Sequence, residues 1–252
     1  MTNLMAAEIM DAAPTTSQID IGVEMGMGRH YGVAATEWFL RTAGQSYPVF
    51  VDHRLRQMNP GELKRRFHFT KGRSRPSIGY GFAEQSLIAD RSLHRLKTVR
   101  SFVALDPAWM TRGLGLMLSL GLGPLISRHT STLAKALRRL PTIGPSHCRL
   151  VVQGFDDAGQ STGLIGLETG DQADATAAMI FAMIQSVLRA PEPAKEGLSM
   201  ITDHLKFDVA AANLRRFLPQ TQIIAGYGQN CGNQPGLAAS RGSISDRPQA
   251  LR

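Results

Sequence analysis

The 252 residues, 43% of them apolar, can build the core of one large domain or two small ones, and 28 Lys plus Arg against 20 Asp plus Glu leave a formal charge of +8. Two cysteines, Cys148 and Cys231, exclude a disulfide framework, and no secretory leader pattern opens the chain, so a reducing, cytoplasmic setting is expected. The longest apolar run, residues 114–126, carries Gly115, Gly121, Gly123 and Pro124 and falls short of the roughly 20 residues that a membrane-spanning helix needs.

Thr2 and Asn3 are cap-type residues ahead of Leu4, Met5 and Ile9, which predicts a helix broken by Pro14. Ile19, Ile21, Val23 and Met25 then alternate with Asp20, Gly22 and Glu24, the period of a half-buried strand. Gly26 and Gly28 end that strand, and residues 33–43 read as a helix carrying Trp38 and Phe39. Residues 47–58 and 64–70 read as strands joined through Asn59-Pro60-Gly61, a strong turn signal. Between His53 and Arg75, the basic side chains Arg54, Arg56, Lys64, Arg65, Arg66, Lys71, Arg73 and Arg75 face only Glu62. A solvated hairpin face is the expectation for this run, although such a charge can also draw in phosphate or anionic lipid. Few aromatics are interleaved with it and no nucleic-acid motif accompanies it, so nucleic acid is not an expected partner.

A looser stretch at 72–95 leads to a strand at 97–105, and Asp106-Pro107 opens a helix near Trp109. The glycine-broken segment to residue 126 and the Arg-rich 130–140 predict a pair of helices. Strands at 149–155 and 162–169 flank Asp156-Asp157-Ala158-Gly159 and read as a hairpin. From Gly170-Asp171 a long helix runs to residue 190, with Ala173, Ala177, Ile180, Phe181, Ile184, Val187 and Leu188 spaced as one buried stripe. A short strand at 197–201 and a last helix at 208–218 follow. Residues 226–252 are rich in Gly, Asn, Gln, Ser and Pro and predict a disordered tail behind a 1–225 domain. Strands and helices do not alternate strictly, so the fold class is read as α+β: a mixed, largely antiparallel sheet packed with helices and no Rossmann domain.

The chemical motifs mostly fail. Gly26-Met27-Gly28 follows a strand, but its third glycine, Gly32, comes one residue late for a dinucleotide turn, and Gly226-Tyr227-Gly228 runs into Asn233-Gln234-Pro235 instead of a helix. Gly159-Gln160-Ser161-Thr162-Gly163 has the letters of a hydrolase elbow, yet a strand is expected after it where the elbow needs a helix. Seven histidines form no zinc spacing. Asp171 and Asp174 suit the N-terminus of the long helix, and Asp156 and Arg149 could pair across the hairpin.

Three segments together resemble the non-nucleotide half of saccharopine dehydrogenase-like oxidoreductases: Thr2-Asn3-Leu4-Met5-Ala6-Ala7-Glu8; Gly28-Arg29-His30-Tyr31-Gly32-Val33-Ala34-Ala35-Thr36-Glu37-Trp38; and the strand from Arg149 through Asp156-Asp157-Ala158-Gly159, followed by Gly170-Asp171-Gln172-Ala173-Asp174-Ala175-Thr176-Ala177-Ala178. Their order and spacing agree with the family over roughly residues 2–220. The resemblance implies a substrate and dimerisation domain whose family carries an N-terminal Rossmann domain for NAD(P). These 252 residues contain no such domain, so the chain alone is expected to bind no cofactor and to be inactive as a dehydrogenase, working with a separate Rossmann-domain polypeptide or as a homodimer. The cleft candidates are then Thr2, Asn3, Arg29 and His30, with no catalytic residue assigned. The alternative is a non-catalytic module whose basic hairpin and Leu-rich 114–126 segment touch an anionic lipid or membrane surface.

Overall fold

The computed structural model describes residues 1–69, 74–91, 95–189 and 199–227. In chain order the elements are α1 (Thr2–Ala12), β1 (Gln18–Gly26), α2 (Val33–Ala43), β2 (Tyr47–Val51), β3 (Arg54–Met58), β4 (Lys64–His68), β5 (Ser74–Gly79), α3 (Glu84–Arg91), β6 (Thr98–Asp106), α4 (Ala108–Ser119), α5 (Gly123–Arg128), α6 (Thr130–Arg139), β7 (Cys148–Phe155), β8 (Ser161–Thr169), α7 (Gln172–Arg189), α8 (Ile201–His204), α9 (Phe207–Phe217) and β9 (Gln222–Tyr227). The strands form one sheet in the order β3-β2-β6-β1-β7-β8-β9, with β5 also pairing β6 and β4 pairing β5. Among the described strands only β1 and β6 run parallel, from Gln18 opposite Thr98 to Gly26 opposite Asp106. The fold is therefore α+β with a mixed, mostly antiparallel sheet.

Strand alternation assigns the two faces of this sheet. Ile19, Ile21 and Val23 point with Val99, Val152, Ile165 and Leu167 toward Leu4, Met5 and Ile9 of α1, Ala178 and Ala182 of α7, and Leu214 of α9. On the opposite face, Phe67 of the β4–β5 hairpin folds down onto Phe102, Ala104 and Val151. A second apolar cluster joins Val103 and Leu105 to Leu114 and Leu118 of α4 and Leu40 of α2. Among the described residues no helix is long and apolar enough to cross a membrane.

Several sequence expectations change. Residues 47–58 are not one strand: Asp52 and His53 take φ of 52° and 60°, turning the chain tightly so that β2 and β3 pair from Tyr47–Met58 to Val51–Arg54. The loose stretch holds β5 and α3, and β4 pairs with β5 instead of β3. Of the strand expected at 197–201, residues 197 and 198 lie outside the described residues, and Ile201 starts a helical turn. β9 carries Gly226 and Tyr227 into the sheet, past the expected domain boundary at 225, while the tail expectation for 228–252 lies outside the described residues. The apolar stripe expected to be buried on α7 faces solvent, with Leu188 79% exposed, because the helix lays its small Ala178 and Ala182 against the core.

Candidate functional site

Asp20 and Glu24 occupy the polar face of β1 that the alternation assigned to solvent, yet both are fully buried. Sheet register supplies their partners. Arg100 on β6 lies beside Asp20, and its Nε and Nη2 donate to Oδ1 and Oδ2 at 2.8 Å each. Arg149 on β7 lies directly between Glu24 on β1 and Glu168 on β8. Its Nη1 is 2.6 Å from Glu24 Oε2 and its Nε 3.1 Å from Glu168 Oε2. The pairing of Arg149 with Asp156 considered from the sequence is replaced by this row.

The β4–β5 hairpin then closes over the carboxylates. Arg65 reaches Asp20, donates to Gln153 Oε1 at 2.9 Å, and lies 5.0 Å from the ring centroids of Phe67 and Phe155. Arg75 Nε is 3.1 Å from Glu24 Oε1, and its Nη2 is 3.0 Å from Asp106 Oδ2. The basic run is thus split: Lys64, Arg54, Arg56 and Arg66 are exposed as expected, whereas Arg65 and Arg75 turn inward as counter-charges. Lys71 and Arg73 lie outside the described residues. Burial by itself would raise the Glu24 carboxyl, but hydrogen bonds from His147 and Arg149 and the charges of Arg149 and Arg75 outweigh it and hold the group below its ordinary range.

Glu24, Asp106 and His147 each point a potential ligand atom into one small volume, all within 4.8 Å of one another, and His147 Nε2 sits 3.5 Å from both carboxylates. The same oxygens already accept Arg149 at 2.6 Å and Arg75 at 3.0 Å, so a divalent ion would meet two guanidinium charges and displace their hydrogen bonds. The group is an ion-pair lattice in its chemistry, not a metal cage.

This lattice underlies the turn that follows β1. Gly26 N–H donates to His147 O at 2.8 Å, Met27 N–H to Asp106 O at 2.9 Å and Gly28 N–H to Pro145 O at 3.0 Å. A Cβ on Gly26 would lie 2.1 Å from Pro145 O, and one on Gly28 would lie 2.2 Å from Gly144 O. The glycines are there for backbone contact, and their amides are spent on protein carbonyls instead of facing a phosphate. Tyr31 Oη donates to Gly26 O at 2.8 Å, and Arg29 reaches Asp171 Oδ2 at 3.2 Å. Asp171 in turn caps α7, accepting from Ala173 N–H at 2.8 Å.

Beside this turn, on the helix-covered face, lies an open cavity of about 510 Å³. Its polar lining comes from Thr2, Glu84, Cys148, Thr169, Gln172 and Thr176, and its apolar lining includes Val23, Leu150, Leu167, Met179 and Ile184. Of the four cleft candidates, Thr2 is in the wall, where its Oγ1 donates to Glu84 Oε1 at 2.8 Å. Arg29 is one residue removed, through Asp171 next to Gln172. Asn3 and His30 do not line the cavity: Asn3 Oδ1 is buried with no hydrogen-bond partner among the described residues, and His30 faces solvent. Burial pushes the Cys148 thiol up to about 12, so it is no nucleophile near neutrality. Ser161 begins β8 and pairs with Phe155, which makes it a hairpin residue as the turn chemistry implied. Glu24, Asp106 and His147 were missed as a group because only sheet register brings them near one another, and Gln172 was missed because the cavity it lines forms only once α7 packs on the sheet.

The fold and this site define an α+β domain with a charge lattice on one face and a cavity on the other. Compared with known protein families and with curated proteins, the chain has no match.

Proposed function

We propose that this chain is the substrate-side domain of a saccharopine dehydrogenase-like, NAD(P)-dependent oxidoreductase. The observation that carries the reading is convergence. The three segments that resemble the family lie far apart in sequence, yet Thr2 of the first and Gln172 of the third line one cavity, and Arg29 of the second is tied to Asp171 at its edge. Hydride transfer needs a nicotinamide held by a glycine turn whose amides face the pyrophosphate. The Gly26–Gly28 amides are taken up by His147, Asp106 and Pro145, which supports a reading in which a nucleotide-binding domain from elsewhere delivers the cofactor. This chain would contribute neutral hydrogen-bonding groups, the Thr2, Thr169 and Thr176 hydroxyls and the Gln172 amide, that orient a substrate against apolar walls.

Calorimetry of the purified chain with NADH and NADPH is expected to give no tight binding. Tight binding by this chain alone would overturn the reading. The DNA 5′ of the Met1 codon and the neighbouring genes are expected to encode a strand followed by G-x-G-x-x-G. Combined with that polypeptide, turnover is expected to fall when Gln172 is changed to Ala.

A further inference from the structure

We propose that α4 and α5 form a docking surface for an anionic lipid bilayer. This goes beyond the oxidoreductase reading and does not depend on it. α4 is apolar on both sides. One side buries Thr111, Leu114, Gly115 and Leu118. The other presents Trp109, Leu116 and Leu120, spaced seven and eleven residues apart from the first and therefore on one stripe, at 58%, 61% and 67% exposure. Met117 flanks the stripe, and Leu122 and Leu125 continue the exposed apolar surface into α5. A surface of this kind marks a place where another phase or molecule sits.

Charge selects the occupant. Between Asp106 and Asp156 the sequence has no Asp or Glu, while Arg112 and Arg128 project from α4 and α5 and Lys135, Arg138 and Arg139 from α6. None of these five has a carboxylate partner among the described residues. Lys64 brings a further cation to the end of α4 through its 2.9 Å bond to Ser119 Oγ. The carboxylates bordering this region are engaged elsewhere: Glu37 of α2 accepts from Ser131 Oγ at 2.8 Å, Glu62 accepts from Asn59 N–H at 2.9 Å, and Asp106 pairs with Arg75 at 3.0 Å. A second copy would set like charge against like charge, and nucleic acid has no use for the leucines. An anionic bilayer answers both features at once, with apolar side chains entering the acyl boundary and cations meeting the head groups. Since no described helix is long and apolar enough to span, and α4 has only 12 residues, α4 is placed in the plane of the surface.

The test is flotation of the full chain with phosphatidylcholine vesicles, with and without phosphatidylglycerol, at low and high salt. Binding is expected only to the anionic vesicles, with loss at high salt and a blue shift of Trp109 emission in a Trp38→Phe background. Leu116→Glu with Leu120→Glu, and separately Arg112→Gln with Arg128→Gln, are each expected to weaken binding about tenfold or more. All four side chains are exposed, and an unchanged melting curve verifies that the fold survives. Failure to float with anionic vesicles, equal flotation with neutral ones, or undiminished flotation of the Leu116→Glu, Leu120→Glu protein overturns the proposal. A dimer that this same double substitution dissolves, without vesicle binding, assigns the face to a second copy and overturns it too.

Discussion

Glu24 is fully buried, and its charge is tolerated because Arg75 and Arg149 stand against its two oxygens. Changing Glu24 to Gln leaves both guanidiniums short of a counter-charge in a buried place. A loss of about 3 kcal/mol in urea denaturation is expected. Arg29 is the control: its own side chain is mostly exposed although Asp171 is largely covered, and Arg29→Ala is expected to cost less than about 1 kcal/mol. If the two losses are equal, the lattice is not what stabilises the sheet. The sequence displayed Glu24 as a polar residue in an alternating strand, and its place in β1 was legible. Its burial was not, because the cover comes from a hairpin whose two inward arginines look like any others in a basic run. Gly26 and Gly28 were legible as a turn but not as a contact surface, since only the approach of residues 144–147 gives them their role.

Elements were legible where pattern and tertiary environment agree. β1, α2, β7, β8, α7 and α9 lie close to where periodicity and turn residues set them. The β2–β3 hairpin was missed because Asp52-His53 carries no glycine, although both residues adopt the left-handed conformation. That strain leads to an expected outcome. His53 is exposed and keeps its N–H bond to Lys97 O whatever its side chain, so His53→Gly relieves the φ of 60° and is expected to stabilise the protein by about 0.5 kcal/mol after the entropy of the added glycine. A lower midpoint in thermal melting would contradict this. α7 shows the opposite failure. Its large side chains repeat with helical spacing, and spacing alone does not say which side of a helix meets the core. The small Ala178 and Ala182 allow close approach to the sheet, leaving Ile180, Ile184 and Leu188 outside.

At the scale of the whole molecule, the α+β class was readable from hairpin signals interleaved with helical periods, whereas the one parallel pair among the described strands was not, because β1 and β6 are separated by all of α2 to α3. Those same strands carry the acid sensitivity. Glu24 in the folded protein releases its proton below its ordinary value of 4.5, while the unfolded chain titrates at that ordinary value. As pH falls, the unfolded state therefore takes up the proton first, and each such uptake favours unfolding. The stabilisation from Glu24 is complete above pH 4.5 and is lost as pH drops from there through the lowered folded value. Denaturation midpoints are expected to hold level from neutrality down to about pH 5 and to fall steeply below 4.5. In Glu24→Gln the starting midpoint is lower but the fall is shallower, since the amide has no proton to gain. Added salt should change neither curve much, because the pairs are buried beyond effective screening. A Glu24→Gln protein that keeps the full acid slope would move the responsible carboxylate to another strand.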